Sequence, residues 1–356
     1  MLSVPRGWSD LTPGWMSAAL SSRCPGASVD RVSVEDAVDG TNSRARVRLT
    51  YLPGSPAGPQ SVFVKREGRI VHRLALVALR ALTTEARLAL SGVTIPIEHP
   101  VTYGAAIDLT RLAAIVVMDD VVSSGARPNL ATTPLSVDEV RDGLGGLASL
   151  HAAFWDRPMP AGLGFLRHWR LGRPWAVVSA ASLARGIRRW RSAVPQVRVP
   201  AGVDALSLER QFRYSAVLAA GGPQTFLHGD PHPGNTYSLD GSRTGFYDWQ
   251  LARIGNWSHD VGYFTVSSLG IEDRRSSERD LLVHYLESLG AAGVEPPAFD
   301  AAWERYRATP AFGLGTWVHT LSAGSFQPLD LCASTIERFA AAYEDLETGR
   351  SIVAGG

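Results

Sequence analysis

From Val29 to Val38 (VDRVSVEDAV) apolar and polar side chains alternate, the period of two that a half-buried strand produces. A turn of small residues, Asp39 to Ser43, separates this run from a second alternating stretch, Arg44 to Tyr51. A loose loop follows, and Ser61 to Lys65 predicts a third strand. The period then changes. Ile70 to Leu90 is rich in good helix formers and spaces Leu74, Val77, Ala81, Leu82 and Leu88 as one long helix would. Two further strands are predicted, an edge strand over Pro96–Ala106 and a buried one over Leu112–Val117, which runs into Met118-Asp119-Asp120-Val121. After a loop rich in Ser, Gly, Pro and Asn, Ser136 and Glu139 form a capping-box pattern. The helix it opens places Leu144, Leu147, His151 and Phe154 on one face, and His151 reads as a core histidine. Helical patterns broken at Gly270, Gly290, Pro310 and Pro328 fill the rest. Antiparallel strands followed by helices predict an α+β chain, and 356 residues suffice for two lobes.

Neither period holds between Phe226 and Asp260 (FLHGDPHPGNTYSLDGSRTGFYDWQLARIGNWSHD). A short apolar run leads into His228-Gly229-Asp230, after which Pro231, Pro233 and Gly234 forbid regular structure and force a fixed loop ending at Asn235. Thr236–Leu239 and Gly245–Tyr247 then read as hairpin arms around Asp240-Gly241. Such a hairpin returns Asp248 beside Asn235. One carboxylate and one amide oxygen, with room for water and phosphate oxygens, suit Mg²⁺ better than zinc. A zinc hydrolase built on the His/Asp cluster fits the Pro- and Gly-rich loop poorly. Asp230, five residues before Asn235, could stand across the site from the metal and take a proton from an attacking hydroxyl. The bland alternative is a loop whose Asp and Asn side chains cap turns.

Composition narrows the picture. An apolar fraction of 45% and a charged fraction of 19% suit a globular enzyme, and a net charge of +1 calls for no polyanionic partner. The 163–215 stretch mixes Trp169, Trp175 and Trp190 with arginines; amphipathic helices with solvated arginines explain it better than a nucleic-acid surface. Cys24 and Cys332 make no disulfide framework, the first residues lack a secretory pattern, and no apolar run approaches the ~20 residues of a membrane span. The expected location is the cytoplasm, with neither nucleic acid nor membrane as partner. Of the 35 basic residues, Lys65 alone is lysine, which marks it as a place where a compact ammonium is needed.

The H-G-D-x-H-x-x-N run at His228–Asn235, followed by Asp248, resembles the catalytic and metal loops of the aminoglycoside phosphotransferase, choline kinase and ecdysteroid kinase-like family. The resemblance spans roughly residues 30 to 345. It implies a bilobal, protein-kinase-like fold: an N-terminal sheet lobe with one long helix, residues 1–121, and a larger, mostly helical lobe, 122–356. It implies Asp230 as catalytic base, Asn235 and Asp248 as Mg²⁺ ligands, and Lys65, paired with Glu85, on the phosphates of ATP. The Met118–Val121 run resembles the interlobe hinge, so that backbone groups near Asp119 and Val121 would hold the adenine edge. Asp260 corresponds to a carboxylate that braces the catalytic loop. Two features depart from protein kinases: the metal loop reads Asp248-Trp249-Gln250, and no Ala-Pro-Glu segment follows. Both point to a small-molecule hydroxyl, on an antibiotic or a metabolite, as acceptor. The turn before Asn42 holds a single Gly40, a thin basis for phosphate contact. The alternative function is a catalytically silent kinase-fold protein that binds a nucleotide or other ligand.

Overall fold

The computed structural model describes residues 2–354 except 40–41, 69, 169–172 and 325. A short helix α1 (Pro13–Leu20) opens the chain, with the Thr12 hydroxyl capping it by accepting the Trp15 N–H. Strands β1 (Val29–Asp39), β2 (Asn42–Tyr51) and β3 (Ser61–Glu67) follow as successive antiparallel partners. Next come helices α2 (Ile70–Ala78) and α3 (Thr84–Leu90), then β4 (Thr102–Asp108) and β5 (Ala113–Asp119). The sheet order is β1-β2-β3-β5-β4, so β3 is central and β4 lies at one edge.

The two faces of β3 explain what the sheet carries. Val62 and Val64 point into a cluster with Ala45, Val47, Leu49, Ile115 and Val117, capped by Met16 and Leu20 of α1. Phe63 packs on the other face with Ala105, Ala114, Val116, Met118 and the small Ala86 and Ala89 of α3. Lys65 shares the Phe63 face by the alternation of the strand, and α3 covers that face. The predicted edge strand starts later than expected, at Thr102, because residues 95–98 turn toward the helical region. Ile95 and Ile97 join its core, and Glu98 O accepts the Phe246 N–H at 2.8 Å.

The expected single helix over 70–90 is two. Arg80 takes φ 56°, and the Ala81 N–H reaches Leu76 O at 2.7 Å while the Arg80 N–H reaches Val77 O at 2.9 Å. This is a left-handed helix stop with an arginine where glycine usually sits. Neither glycine nor proline announces it in the sequence.

Beyond β5 a two-residue strand β6 (Arg127–Pro128) precedes α4 (Val137–Ala153). Its Ser136–Glu139 capping box forms as the pattern predicted. Helices α5 (Arg173–Ala193) and α6 (Ala205–Ala220) then lead to β7 (Thr225–Leu227), the hairpin β8 (Thr236–Leu239) and β9 (Arg243–Phe246), and β10 (Arg253–Gly255). Arg185, Arg188 and Arg191 are exposed on α5, while Trp190 is buried; Trp169 and Arg170 lie outside the described residues. Helices α7 (Ser258–Ser268), α8 (Ile271–Ala291), α9 (Phe299–Ala308), α10 (Pro310–Ala323), α11 (Leu329–Asp345) and α12 (Thr348–Ala354) complete the chain. One continuous apolar cluster joins these helices to β7 and β9, and it contains Trp190, Phe226, Phe246, Trp257, Phe264 and Tyr285. Tyr306, Phe312 and Trp317 belong to it. Among the described residues no helix is long and apolar enough to cross a membrane.

Candidate active site

Asp260, at the start of α7 and fully buried, fixes the loop between β7 and β8. Its two carboxylate oxygens accept the N–H groups of His228 (2.7 Å) and Gly229 (3.0 Å). His151 Nε2 lies 3.4 Å from the same carboxylate, and His151 Nδ1 lies 2.9 Å from the Tyr285 hydroxyl, so the core histidine of α4 serves as a strut behind the loop. Burial would raise the Asp260 carboxyl, but the His151 hydrogen bond and the nearby imidazoles outweigh it and hold it below the ordinary range. Gly229 takes φ +87°, and a Cβ there would sit 2.1 Å from Leu251 O; no other residue fits the bend.

The two loop histidines each organise backbone. His228 Nδ1 accepts the Asp230 N–H (3.3 Å), which makes Nε2 the protonated nitrogen, donating to Tyr247 O at 3.1 Å. Burial keeps that imidazole below its usual pKa. His232 Nδ1 accepts the Gly234 N–H at 3.1 Å, and its Nε2 lies 3.8 Å from Asp230 Oδ2.

Asn235 then ties the loop to the hairpin. Its Nδ2 donates to Asp230 O (2.9 Å) and Oδ2 (3.3 Å), while Asn235 O accepts the Tyr247 N–H at 3.0 Å. The β8–β9 register, Thr236 opposite Phe246, therefore delivers Asp248 next to Asn235. Asp248 adopts φ 65°, ψ 64°, a left-handed conformation that aspartate tolerates better than most residues.

Across the cleft, Lys65 Nζ stands 2.5 Å from Asp248 Oδ1 and 2.8 Å from Glu85 Oε2. Glu85 Oε1 also accepts the Trp249 N–H at 3.2 Å. Burial works against the Lys65 ammonium, yet Asp248 and Glu85 outweigh it and hold its pKa above the lysine norm. Burial likewise opposes the Asp248 carboxylate, and Lys65 overrides it, keeping it below the ordinary range. For Asp230 burial wins instead: it pushes the carboxyl up, against the pull of His232 and His228. Of the site's three carboxylates, Lys65 holds Asp248 below the ordinary range, while burial raises Asp230 and Glu85.

The structure brings Lys65, Glu85 and Asp248 into one cluster, and Asp230, Asn235 and Asp248 onto one loop and hairpin. Asp119 and Val121 lie at the end of β5 and just past it. The Asp119 N–H is committed to Val101 O (2.8 Å), and Val121 O accepts the Ala126 N–H (2.9 Å). Gly40 lies outside the described residues.

Sequence reasoning passed over Asp120, which is buried and gathers Ser61 Oγ (2.6 Å), Arg46 Nε (2.8 Å) and Ser123 Oγ (2.7 Å), pinning the end of β5. An Asp-Asp pair closing an apolar strand was the available signal. Tyr263 was missed too: its hydroxyl is hydrogen-bonded to Asp230 and accepts the Trp317 Nε1–H at 2.9 Å.

A braced loop, a half-buried carboxylate on it, an Asn/Asp pair and an ion-paired lysine are thus gathered in one place. The chain belongs to the phosphotransferase enzyme family (APH), whose model matches residues 49–308. Its fold, a kinase-like union of antiparallel sheet and helical region, recurs in a proposed aminoglycoside phosphotransferase from Ralstonia eutropha JMP134 and in choline kinase from Cryptosporidium parvum Iowa II. The first is 13% identical, with 94% of this chain and 97% of that one covered at a TM-score of 0.53. The second is also 13% identical, with 97% and 94% covered and a TM-score of 0.53. No curated protein matches the chain by sequence.

Proposed function

We propose that the chain moves the γ-phosphoryl group of ATP, in the presence of Mg²⁺, to a hydroxyl of a small molecule, an antibiotic or a metabolite. The observation that carries this reading is the Lys65 ammonium held between Glu85 and Asp248, with Asp248 two residues past the hairpin that follows Asn235. The donor set fits Mg²⁺. Asn235 spends its amide N–H groups on Asp230, leaving its carbonyl oxygen as the ligating atom, and Asp248 gives Lys65 one oxygen and keeps the other. When bound, the metal neutralises phosphate charge.

This chain's own residues do the rest. Lys65, aimed by Glu85, binds the α- and β-phosphates, and the backbone between Asp119 and Val121 takes the adenine edge. The acceptor oxygen attacks the γ-phosphorus and the bond to the β–γ bridging oxygen breaks. ADP leaves, and the hydroxyl proton passes to Asp230, whose raised affinity for a proton suits that task. Reading 1–121 and 122–356 as two lobes places the reaction between them. The cytoplasm, where ATP is abundant, is the corresponding location.

Choline and aminoglycosides are the first acceptors to try, since proteins of similar fold act under those names. The test is ADP release over a panel of amino alcohols, antibiotics and metabolites, beside an ATP titration with and without Mg²⁺. Mg²⁺-dependent ATP binding and acceptor-dependent ADP release support the reading. ATP binding without turnover on any acceptor favours a silent binding protein, and no nucleotide binding removes both.

A further inference from the structure

Helix α7 grips the loop between β7 and β8 twice. Asp260 accepts the N–H groups of His228 and Gly229, at 2.7 and 3.0 Å. Tyr263 stands three residues further on, on the same face of the helix. Its hydroxyl is hydrogen-bonded to the side chain of the next loop residue, Asp230. One helix face therefore holds the backbone of 228 and 229 and the carboxylate of 230.

The direction of the second contact is fixed from behind. The Trp317 Nε1–H of α10 donates to the Tyr263 hydroxyl oxygen at 2.9 Å. An indole N–H can only donate and a carboxylate can only accept, so the Tyr263 O–H is left to point at Asp230. The chain of bonds runs from Trp317 through Tyr263 to Asp230.

We infer that Tyr263 is a positioning residue for the transfer step: its hydroxyl, oriented by Trp317, holds the Asp230 carboxylate at the rotation that presents an oxygen to the acceptor hydroxyl. The inference rests on the proposed reading of Asp230 as base.

The Tyr263 ring is buried between His259 (6.2 Å between centroids), Phe312 (5.9 Å) and Phe339 (5.3 Å). A phenylalanine would fill the same space, so the hydroxyl is the part that reaches the loop. Trp317 is equally fixed, buried with its ring edge-on to His232 at 5.6 Å. The other ties on the Asp230 side chain are weaker. Asn235 Nδ2 stands 3.3 Å from Oδ2 and already donates to Asp230 O at 2.9 Å. His232 Nε2, 3.8 Å from Oδ2, is beyond hydrogen-bond reach. The last torsion of an aspartate side chain is broad, and without Tyr263 little would set it. A base must lie within hydrogen-bond reach of the proton it takes, and a displacement of about 1 Å costs about a hundredfold in rate. The Asp230 side chain keeps 24% exposure, which leaves one side of it open to an acceptor.

Hydrolysis of radiolabelled Mg·ATP tests this with water as the acceptor: water attacks the γ-phosphorus, its proton passes to Asp230, and ADP and phosphate leave. The rate is measured in the wild-type chain, Tyr263→Phe, Asp230→Asn and the double variant. Tyr263→Phe is expected to lower kcat about ten- to hundredfold, the worth of a hydrogen bond to a charged group, with KM for ATP within about twofold. In the Asp230→Asn background the same change should do nothing further, to within about twofold. A Tyr263→Phe kcat within about twofold of wild type, or the same loss in both backgrounds, overturns the inference. If Tyr263→Phe does not melt cooperatively, Trp317→Phe decides in its place, since it keeps a ring on His232 and removes the Nε1–H. Its kcat should fall about three- to tenfold, again only where Asp230 is present, and a change under about twofold overturns the inference. Hydrolysis that is absent from wild type, or unaltered by Asp230→Asn, sinks the reading of Asp230 as base and this inference with it. Hydrolysis that needs Asp230 but ignores Tyr263 sinks this inference alone.

Discussion

Lys65 and Glu85 stand over a small cluster of Ala86, Ala105, Ala114, Val116 and Met118, whereas the 226–248 loop and hairpin rest on a continuous core that includes Trp257, Phe264 and Tyr285. Aromatic side chains of that size bury roughly 150–250 Å² each, several times what an alanine can contribute. The loop side is also cross-tied by Asp260, His228 and Asn235, all within hydrogen-bond distance of backbone. The sheet side meets that loop chiefly through one ammonium and two carboxylates, with the Glu85 contact to the Trp249 N–H and the Asn42–Gln250 bond beside them. One wall is held by packing and backbone bonds, the other by charge, and damage to each should look different.

The largest effect is expected on the rigid wall. Asp230→Asn should lower kcat by about three orders of magnitude, the middle of the range for a lost general base, with the ATP dissociation constant within about twofold of wild type. A kcat near wild type would remove Asp230 from that role. Asp260→Ala should cost about 3–5 kcal/mol of stability, because two backbone N–H groups and His151 lose their partner in a dry site. Urea unfolding of the purified variant reads this out, and a loss under ~1 kcal/mol would contradict the brace.

Acid should soften the same wall. His259 and His319 are pushed down to about 4 by burial, while an unfolded histidine titrates near about 6.5. Between those values the unfolded chain binds more protons, so stability falls as pH drops through that window, by roughly 2 kcal/mol per histidine at pH ~5. Comparing urea midpoints at pH 7.5 and 5 tests it, and His319→Gln should remove about half of the drop. The smallest effect belongs to the sheet wall: Lys65→Arg keeps the charge but cannot place a compact ammonium between two carboxylates. It should reduce kcat/KM for ATP by about tenfold or more with little change in melting temperature.

Much of this was legible from local pattern. The Ser136–Glu139 cap, the alternation along β1 to β3 and the Pro/Gly-framed catalytic loop are each dictated by neighbours within a few residues. The break at Arg80 was not, because every residue from 78 to 82 is an acceptable helix former and the stop is imposed by packing. The Lys65–Glu85 pairing was expected from the family resemblance and is present, at 2.8 Å, although the helix that carries Glu85 is shorter than the pattern implied. Contacts such as Asn42–Gln250, Tyr263–Asp230 and Ser61–Asp120 join residues far apart in the chain, and no periodicity or spacing encodes them.

Lys65 has one more consequence, and it is analytical. With no second lysine in the sequence, the only side-chain primary amine sits in the cleft, 12% exposed and clamped by two acids. An acylating reagent therefore has a single ε-target, and peptide mass spectrometry of the labelled chain doubles as an occupancy meter. Labelling should be sluggish while Glu85 and Asp248 keep the amine protonated and should be blocked outright by a bound triphosphate. The same scarcity that drew the eye to this residue makes it a built-in reporter.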